Sequence, residues 1–328
     1  MKICIVQPQK FSPKVLKGEV EEMVQAHYSK FSGLADSVEK TPIEEIDINN
    51  YDYFFVYHSE DAIKLSQKGC NKFSFFLNEP EASDRQSPEF STVIEAIKCC
   101  HLTVVRSVFW FELFSELQHK IIYLSYGFSK NENLTDIQRN LKVSEIKLLC
   151  LGNNDREDNL NYVKINKFAA KFKMNISFVN YGCEFFQNID HQFFEANSSC
   201  QILCDNQNLF NNQKGNVFND ILRSHDILID LRNENLEGLT SYQLKCLFSG
   251  MPCISSIFKN FPDDDCGLIN CDNTEESLTD AVQYVISNWR KSVIQSKEFA
   301  LSRDWYYICE AFYKLITGDK RLTEIVNE

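Results

Sequence analysis

Residues Asp226–Ser256 read DILIDLRNENLEGLTSYQLKCLFSGMPCISS. Ile227–Leu231 is an apolar run of the length of a buried strand. A polar turn with Glu234, Glu237 and Gly238 follows it, and then a segment of helical period from Ser241 to Phe248. Gly250 and Pro252 close that segment, because glycine just past a helix and proline beyond it stop the helix there. A second apolar run ends the stretch. Strand, loop, helix and strand in this order make a βαβ unit, whose two strands lie parallel in a buried sheet. The loop ahead of the helix then stands at the carboxyl edge of the sheet, where open α/β folds bind ligands. Thr240, Ser241 and Tyr242 fall in the first helical turn. Free N–H groups and the positive end of the helix dipole suit that turn to a phosphate.

Inside this unit, Glu237-Gly238-Leu239, Gln243-Leu244-Lys245 and Ser249-Gly250-Met251-Pro252 resemble the signature of the family 4 retaining glycosyltransferases of GT-B architecture. That signature is a loop of E-G-F-G type, a helix with a second acid eight positions after the first, and a small-Gly-x-Pro turn. The spacing matches without a gap, and the second acid is replaced by Lys245. The resemblance implies two Rossmann-like α/β domains facing across a cleft. It also implies an enzyme of hexosyltransferase type, which moves a sugar from a nucleotide diphosphate sugar to a hydroxyl acceptor that is a glycan, lipid-linked or protein-linked. Retention, no metal and no cofactor are part of the same expectation, with the leaving diphosphate helping to take the acceptor proton. Glu237 is then the catalytic candidate, and the amides of Gly238 and Leu239 face the donor sugar. Thr240, Ser241, Tyr242 and Lys245 complete the donor side.

In that family the second acid holds the donor ribose, a task lysine cannot do because its side chain only donates. A pyrophosphate contact by Lys245, donor anchoring through other groups, and a degenerate site all stay open. The family also sets an arginine just after a glycine, and a lysine a few residues on, against the pyrophosphate. Here the corresponding loop is Gly152-Asn153-Asn154-Asp155-Arg156-Glu157-Asp158, which makes Gly152, Asn153 and Arg156 candidates, with Lys164 an alternative source of charge.

Outward from this unit the same alternation of short apolar runs and helical segments recurs on both sides. Lys2–Val6, Tyr51–Tyr57, Lys72–Leu77, Leu102–Val105 and Ile121–Leu124 read as strands, with helical segments between them. The pattern fades in GFSKNENLTDIQRNLK (127–142) and restarts at IKLLCL (146–151). The expected plan is an N-terminal acceptor-side domain over 1–128, a linker over 129–142, a donor domain over 143–300, and a closing helix over 301–328 that crosses back to the first domain. His58, Glu79 and Arg106 follow strands of the first half and are the acceptor-side candidates. Arg232 follows Leu231 on the donor side. Glu79 and Glu81 flank Pro80, a pair that can act as acid and base in a cleft; the plainer reading is a solvated loop.

Composition narrows the partners. The chain has 328 residues, 44% of them apolar and 24% charged, enough for two packed domains. A net charge of −12 argues against nucleic acid as a partner and leaves at most peripheral contact with an anionic membrane. No apolar run approaches the ~20 residues that span a bilayer, and MKICIVQPQK is too short in its apolar run for a signal peptide, so the expected location is cytoplasmic. The 13 cysteines sit mostly inside apolar runs and read as buried small hydrophobes. Cys200-x3-Cys204 and Cys266-x4-Cys271 lack a second ligand pair at zinc spacing, so no metal site is assigned. The apolar segment Ser107–Lys120 reads either as a helix buried on its sheet or as a membrane or acceptor contact. Two rivals to the transferase stay in view: a GT-B-like binding or partner subunit that has lost catalysis, and an epimerase or phosphorylase on the same frame.

Overall fold

The apolar runs become strands, and each described strand pairing is parallel. In the computed structural model the described residues are 1–8, 17–77, 88–106, 108–117, 120–124, 127, 139, 141, 145–152, 165–180, 200–203, 216–231, 239, 241–256, 268–272 and 274–318. Lys2–Val6 (β1), Ser37–Thr41 (β2), Tyr53–Val56 (β3), Phe73–Phe76 (β4), Leu102–Val105 (β5) and Ile121–Tyr123 (β6) form a six-stranded sheet of order β2-β1-β3-β4-β5-β6. Lys147–Gly152 (β7), Asn175–Asn180 (β8), Cys200–Leu203 (β9), Ile227–Asp230 (β10), Cys253–Ser255 (β11) and Leu268–Asn270 (β12) form a second, of order β12-β11-β10-β7-β8-β9.

Parallel neighbours need crossovers, and helices supply them. Lys17–Phe31 (α1), Ser59–Gln67 (α2), Pro88–Cys99 (α3) and Val108–Ser115 (α4) belong with the first sheet. With the second go a helix over 165–171 (α5), Asn216–Ser224 (α6), Ser241–Phe248 (α7, from its second residue on), Glu275–Ser287 (α8) and Trp289–Ser302 (α9). Trp305–Ile316 (α10) ends the described chain's helices. The chain divides into two compact units. The first takes Met1–Ser129 and Arg303–Glu328 with the short segment Leu236–Ser241; the second takes Lys130–Asn235 and Tyr242–Ser302.

In the first unit, alternate residues of each strand face opposite sides of the sheet. Phe54, Phe73 and Phe75 join Val93, Ile97, Trp110 and Phe114 in one core. Trp110 and Phe114 of α4 are buried there, so this apolar helix is a core element. On the other side Phe55 and Phe76 meet His27 and Phe31 of α1 and Phe312 of α10. A Cβ on Gly127 would lie 2.6 Å from the Trp305 ring, so only glycine lets the chain pass there. The second unit centres on Leu148, Cys150, Phe168, Ile227, Ile229 and Ile254, with Leu278, Val282 and Val285 of α8 laid over them.

Two elements go beyond the sequence reading. Strand β2, SVEKT, has no buried residue and stands beside β1 in register Lys2↔Ser37 to Val6↔Thr41. Its charges protect a sheet edge but leave no apolar run to read. Helix α9 buries Ser292, Ser296 and Ala300, which are too small and polar to mark a hydrophobic stripe.

Candidate functional site

In the second unit the chain runs outward from β7 through β8 and β9, then starts again on the other side of β7 with β10 and continues through β11 and β12. The switch point is therefore between β7 and β10, and the ends of those two strands flank the place where such sheets bind ligands. Gly152 is the last residue of β7, and Asp230 the last of β10. From β10 the chain passes to α7 and on to β11, with Leu228↔Cys253, Ile229↔Ile254 and Asp230↔Ser255 in register. This is the βαβ unit expected from the sequence.

Helix α7 begins at Ser241, and no acid stands in its first turn. Its amide end is the positive pole of the helix dipole, beside the switch point. Gln243, fully buried, donates from Nε2 to Asp230 Oδ2 at 2.6 Å, and Asp230 itself is 2% exposed. Leu244, Cys246, Leu247, Phe248 and Ser249 are buried, and Lys245 is half-buried among them. Burial pushes the Cys246 thiol up to about 12, so it stays a thiol. At the far end Gly250, with φ +79°, donates to Leu247 O at 2.8 Å while Met251 donates to Cys246 O at 3.0 Å. This is a Schellman cap, and it needs the left-handed conformation that glycine takes without strain.

Arg139 secures the same end. Its Nε donates to Ser249 O at 2.9 Å, and Nη2 donates to Leu222 O and Ser249 Oγ at 2.7 Å each. Nη1 donates to His225 O. Two helix ends, those of α6 and α7, thus share one half-buried cation, which suits their negative poles. Burial lowers this guanidinium to about 10. Arg139 and Leu141 are the described residues of the stretch 129–142, and both belong to the second unit.

In the first unit the switch point lies between β1 and β3. Gln7 follows β1, and Tyr57 and His58 follow β3. Half-buried His58 is the N-cap residue of α2. Asp61, in the first turn of that helix, is buried; burial raises its carboxyl, against the opposing pull of His58 and Lys64. Lys64 Nζ stands 3.9 Å from Asp61 and 3.7 Å from Glu44. Arg106, half-buried, follows β5, two places from β3 in the sheet order, which is ~10 Å at the spacing of neighbouring strands.

No protein-family model matches the chain, and no curated protein matches it in sequence. Solved structures do match it. HepE from Anabaena, solved in complex with UDP, is 10% identical with a TM-score of 0.64, over 97% of this chain and 99% of that one. A glycosyltransferase from Rickettsia africae ESF-5 is 14% identical with a TM-score of 0.63, over 96% and 98%. Sucrose-phosphate synthase from Thermosynechococcus elongatus is 11% identical with a TM-score of 0.60, over 95% and 81%. The chain has the GT-B fold.

Within the GT-B fold the candidate residues sort by sheet edge. Gly152, Ser241, Tyr242 and Lys245 belong to the β7, β10 and α7 neighbourhood, with Leu239, buried at 2% exposure, just ahead of α7 in sequence. His58 and Arg106 share the carboxyl edge of the first sheet. Glu79, Asn153, Arg156, Arg232, Glu237, Gly238 and Thr240 lie outside the described residues. Asp230, Asp61 and Arg139 went unnoticed in the sequence, and Gln243 was read only as part of the motif spacing. The signal for Asp230 and Gln243 was present, an acid ending an apolar strand and an amide in the next helix's first turn. Among the described residues no three His, Cys, Asp or Glu come together to hold a metal ion, and no helix is long and apolar enough to cross a membrane.

Proposed function

We propose that this protein is a glycosyltransferase that moves a sugar from a nucleotide diphosphate sugar to a hydroxyl acceptor, with the donor on the second unit. One observation carries the reading. The amide end of α7, with no acid among its own first-turn residues, stands at the switch point of a parallel sheet, in a fold that a UDP-bound structure shares. In this mechanism the donor diphosphate lies against the first turn of α7, at Ser241 and Tyr242. Negative charge grows on the diphosphate as the bond to the sugar breaks, and the helix amides with Arg156, Arg232 and Lys245 stabilise it. Gly152 and Asn153 line the other strand end, and Thr240 leads into the helix. Glu237 and the amides of Gly238 and Leu239 hold the sugar hydroxyls. The leaving diphosphate takes the acceptor proton, which gives retention without a metal. His58, Glu79 and Arg106 orient the acceptor, a glycan or a lipid-linked or protein-linked hydroxyl.

Lys245 favours one other reading, a GT-B-like binding or partner subunit, because a cation stands where the resemblance expects the ribose-binding acid. A thermal-shift series with UDP, GDP, ADP, CDP and their sugars separates the two. A ligand at ~100 times its dissociation constant adds about 2.7 kcal/mol of stability. The transferase reading expects a rise with one base, and expects Glu237→Ala to weaken the shift of the sugar more than that of the free nucleotide. No rise with any nucleotide would leave the partner reading in its place.

A further inference from the structure

We propose that Asp230 and Gln243 are positioning residues, a buried clamp that ties the end of β10 to the first turn of α7 and fixes the start of that helix. The inference rests on the donor-site reading above and adds to it the residues that set the site's geometry. Strand β10 is ILID, with Ile227, Leu228 and Ile229 fully buried and Asp230 2% exposed. A carboxylate so placed costs several kcal/mol unless hydrogen bonds compensate it. A leucine at this position would extend the apolar strand at no such cost. One compensating bond comes from Gln243 Nε2 at 2.6 Å, from a side chain with no exposure at all.

The two partners are 13 residues apart, one closing β10 and the other in the first turn of α7. Arg232, Glu237, Gly238, Leu239 and Thr240, five of the donor-side candidates, lie between them in the sequence. Holding both ends fixes the span that the residues between them must cover. The opposite end of α7 is held separately, by the Gly250 cap and by Arg139. Loss of the clamp therefore frees the first turn while the last turn stays in place.

The test compares Asp230→Leu, Gln243→Leu and the double variant with Asp230→Asn, whose side-chain oxygen still accepts the amide bond. Arg139→Gln, at the other end of the helix, serves as the control for general destabilisation. Two readouts are taken: UDP affinity by calorimetry, and amide hydrogen exchange of Lys245, Cys246 and Leu247, whose N–H groups bond to carbonyls of the first turn. Both leucine variants are expected to weaken UDP about tenfold and to speed exchange at these amides by a similar factor. The double variant should do no more than either single one. Asp230→Asn should stay near wild type, and Arg139→Gln should lower the melting temperature without changing UDP affinity. Folded leucine variants with wild-type exchange at these amides overturn the clamp, and so does a UDP loss no larger than that of Arg139→Gln. If the wild-type protein binds no nucleotide, the transferase reading fails by itself, and the exchange readout still decides the clamp.

Discussion

His27 shows how much one buried side chain can commit. It is 2% exposed, its Nδ1 stands 2.5 Å from Tyr57 Oη, and the rings of Phe76 and Trp305 are centred 4.8 and 5.1 Å away. Among the described residues no acid stands there to welcome a charge, and burial lowers the imidazole from 6.5 to about 3. As pH falls from 6.5 to about 3, the unfolded chain takes up a proton that the folded chain refuses. The unfolded state binds more protons throughout that window, so stability falls by up to ~1.4 kcal/mol per pH unit and is unaffected above it. Glutamine at this position has the bulk and a polar end but no titration. Urea unfolding of wild type and His27→Gln, followed through tryptophan fluorescence across the window, should show a wild-type advantage that shrinks as pH falls. An advantage independent of pH would mean that the folded core accepts the imidazolium.

At the scale of elements, α7 shows what a sequence makes legible. Its start and stop were readable because both ends carry chemistry: the polar loop ahead of Ser241, and the Gly250-x-Pro252 turn behind Phe248. The cap confirms the turn's meaning, since Gly250 has φ +79° and the two cap bonds close on Leu247 and Cys246. Gly250→Ala forces an L side chain into the left-handed region, at ~1–2 kcal/mol. Its Cβ would also approach Lys297 Cε at 2.7 Å, a flexible chain end that can move aside. A fall in the urea midpoint of that size, with UDP affinity retained, is the expected result; no fall would mean that the cap does not hold the helix end. Other elements were silent for physical reasons. β2 stabilises an edge with charged residues, and α9 packs through serine and alanine, so neither leaves an apolar period. Arg139 lies in a stretch whose falling apolar content reads as linker, because composition does not say which polar residue will be buried against helix ends. The Asp230–Gln243 pair carried a fainter signal: an acid ends an apolar strand and an amide falls in the next helix's first turn, but nothing in the sequence says that the two meet.

For the whole molecule, the order of the units in the sequence has a consequence for folding. The second unit is complete at Ser302, whereas the first begins at Met1 and also includes Arg303–Glu328. Helix α10 brings Trp305, Ile308, Cys309 and Phe312, all under 7% exposed, to the first unit, and Phe312 stands 5.6 Å from Phe55 and 5.4 Å from Phe76, ring centre to ring centre. Burial of a large apolar side chain stabilises by ~1.5–3 kcal/mol, so these residues together contribute on the order of the whole stability of a domain, ~5–15 kcal/mol. The first unit therefore cannot finish folding until α10, about 175 residues beyond Ser129, is made, and its long-range contacts should make it the slower of the two. A chain ended after Ser302 tests this directly. The removed helix would leave Phe31, Phe55, Phe76 and His27 without their cover, and the first unit should lose cooperative structure while the second keeps its own. Limited proteolysis read by mass spectrometry should then degrade 1–129 rapidly and leave a resistant fragment within 130–302. Equal protection of both regions would show that the first unit is stable without α10 and that the aromatic cluster contributes far less than its burial implies.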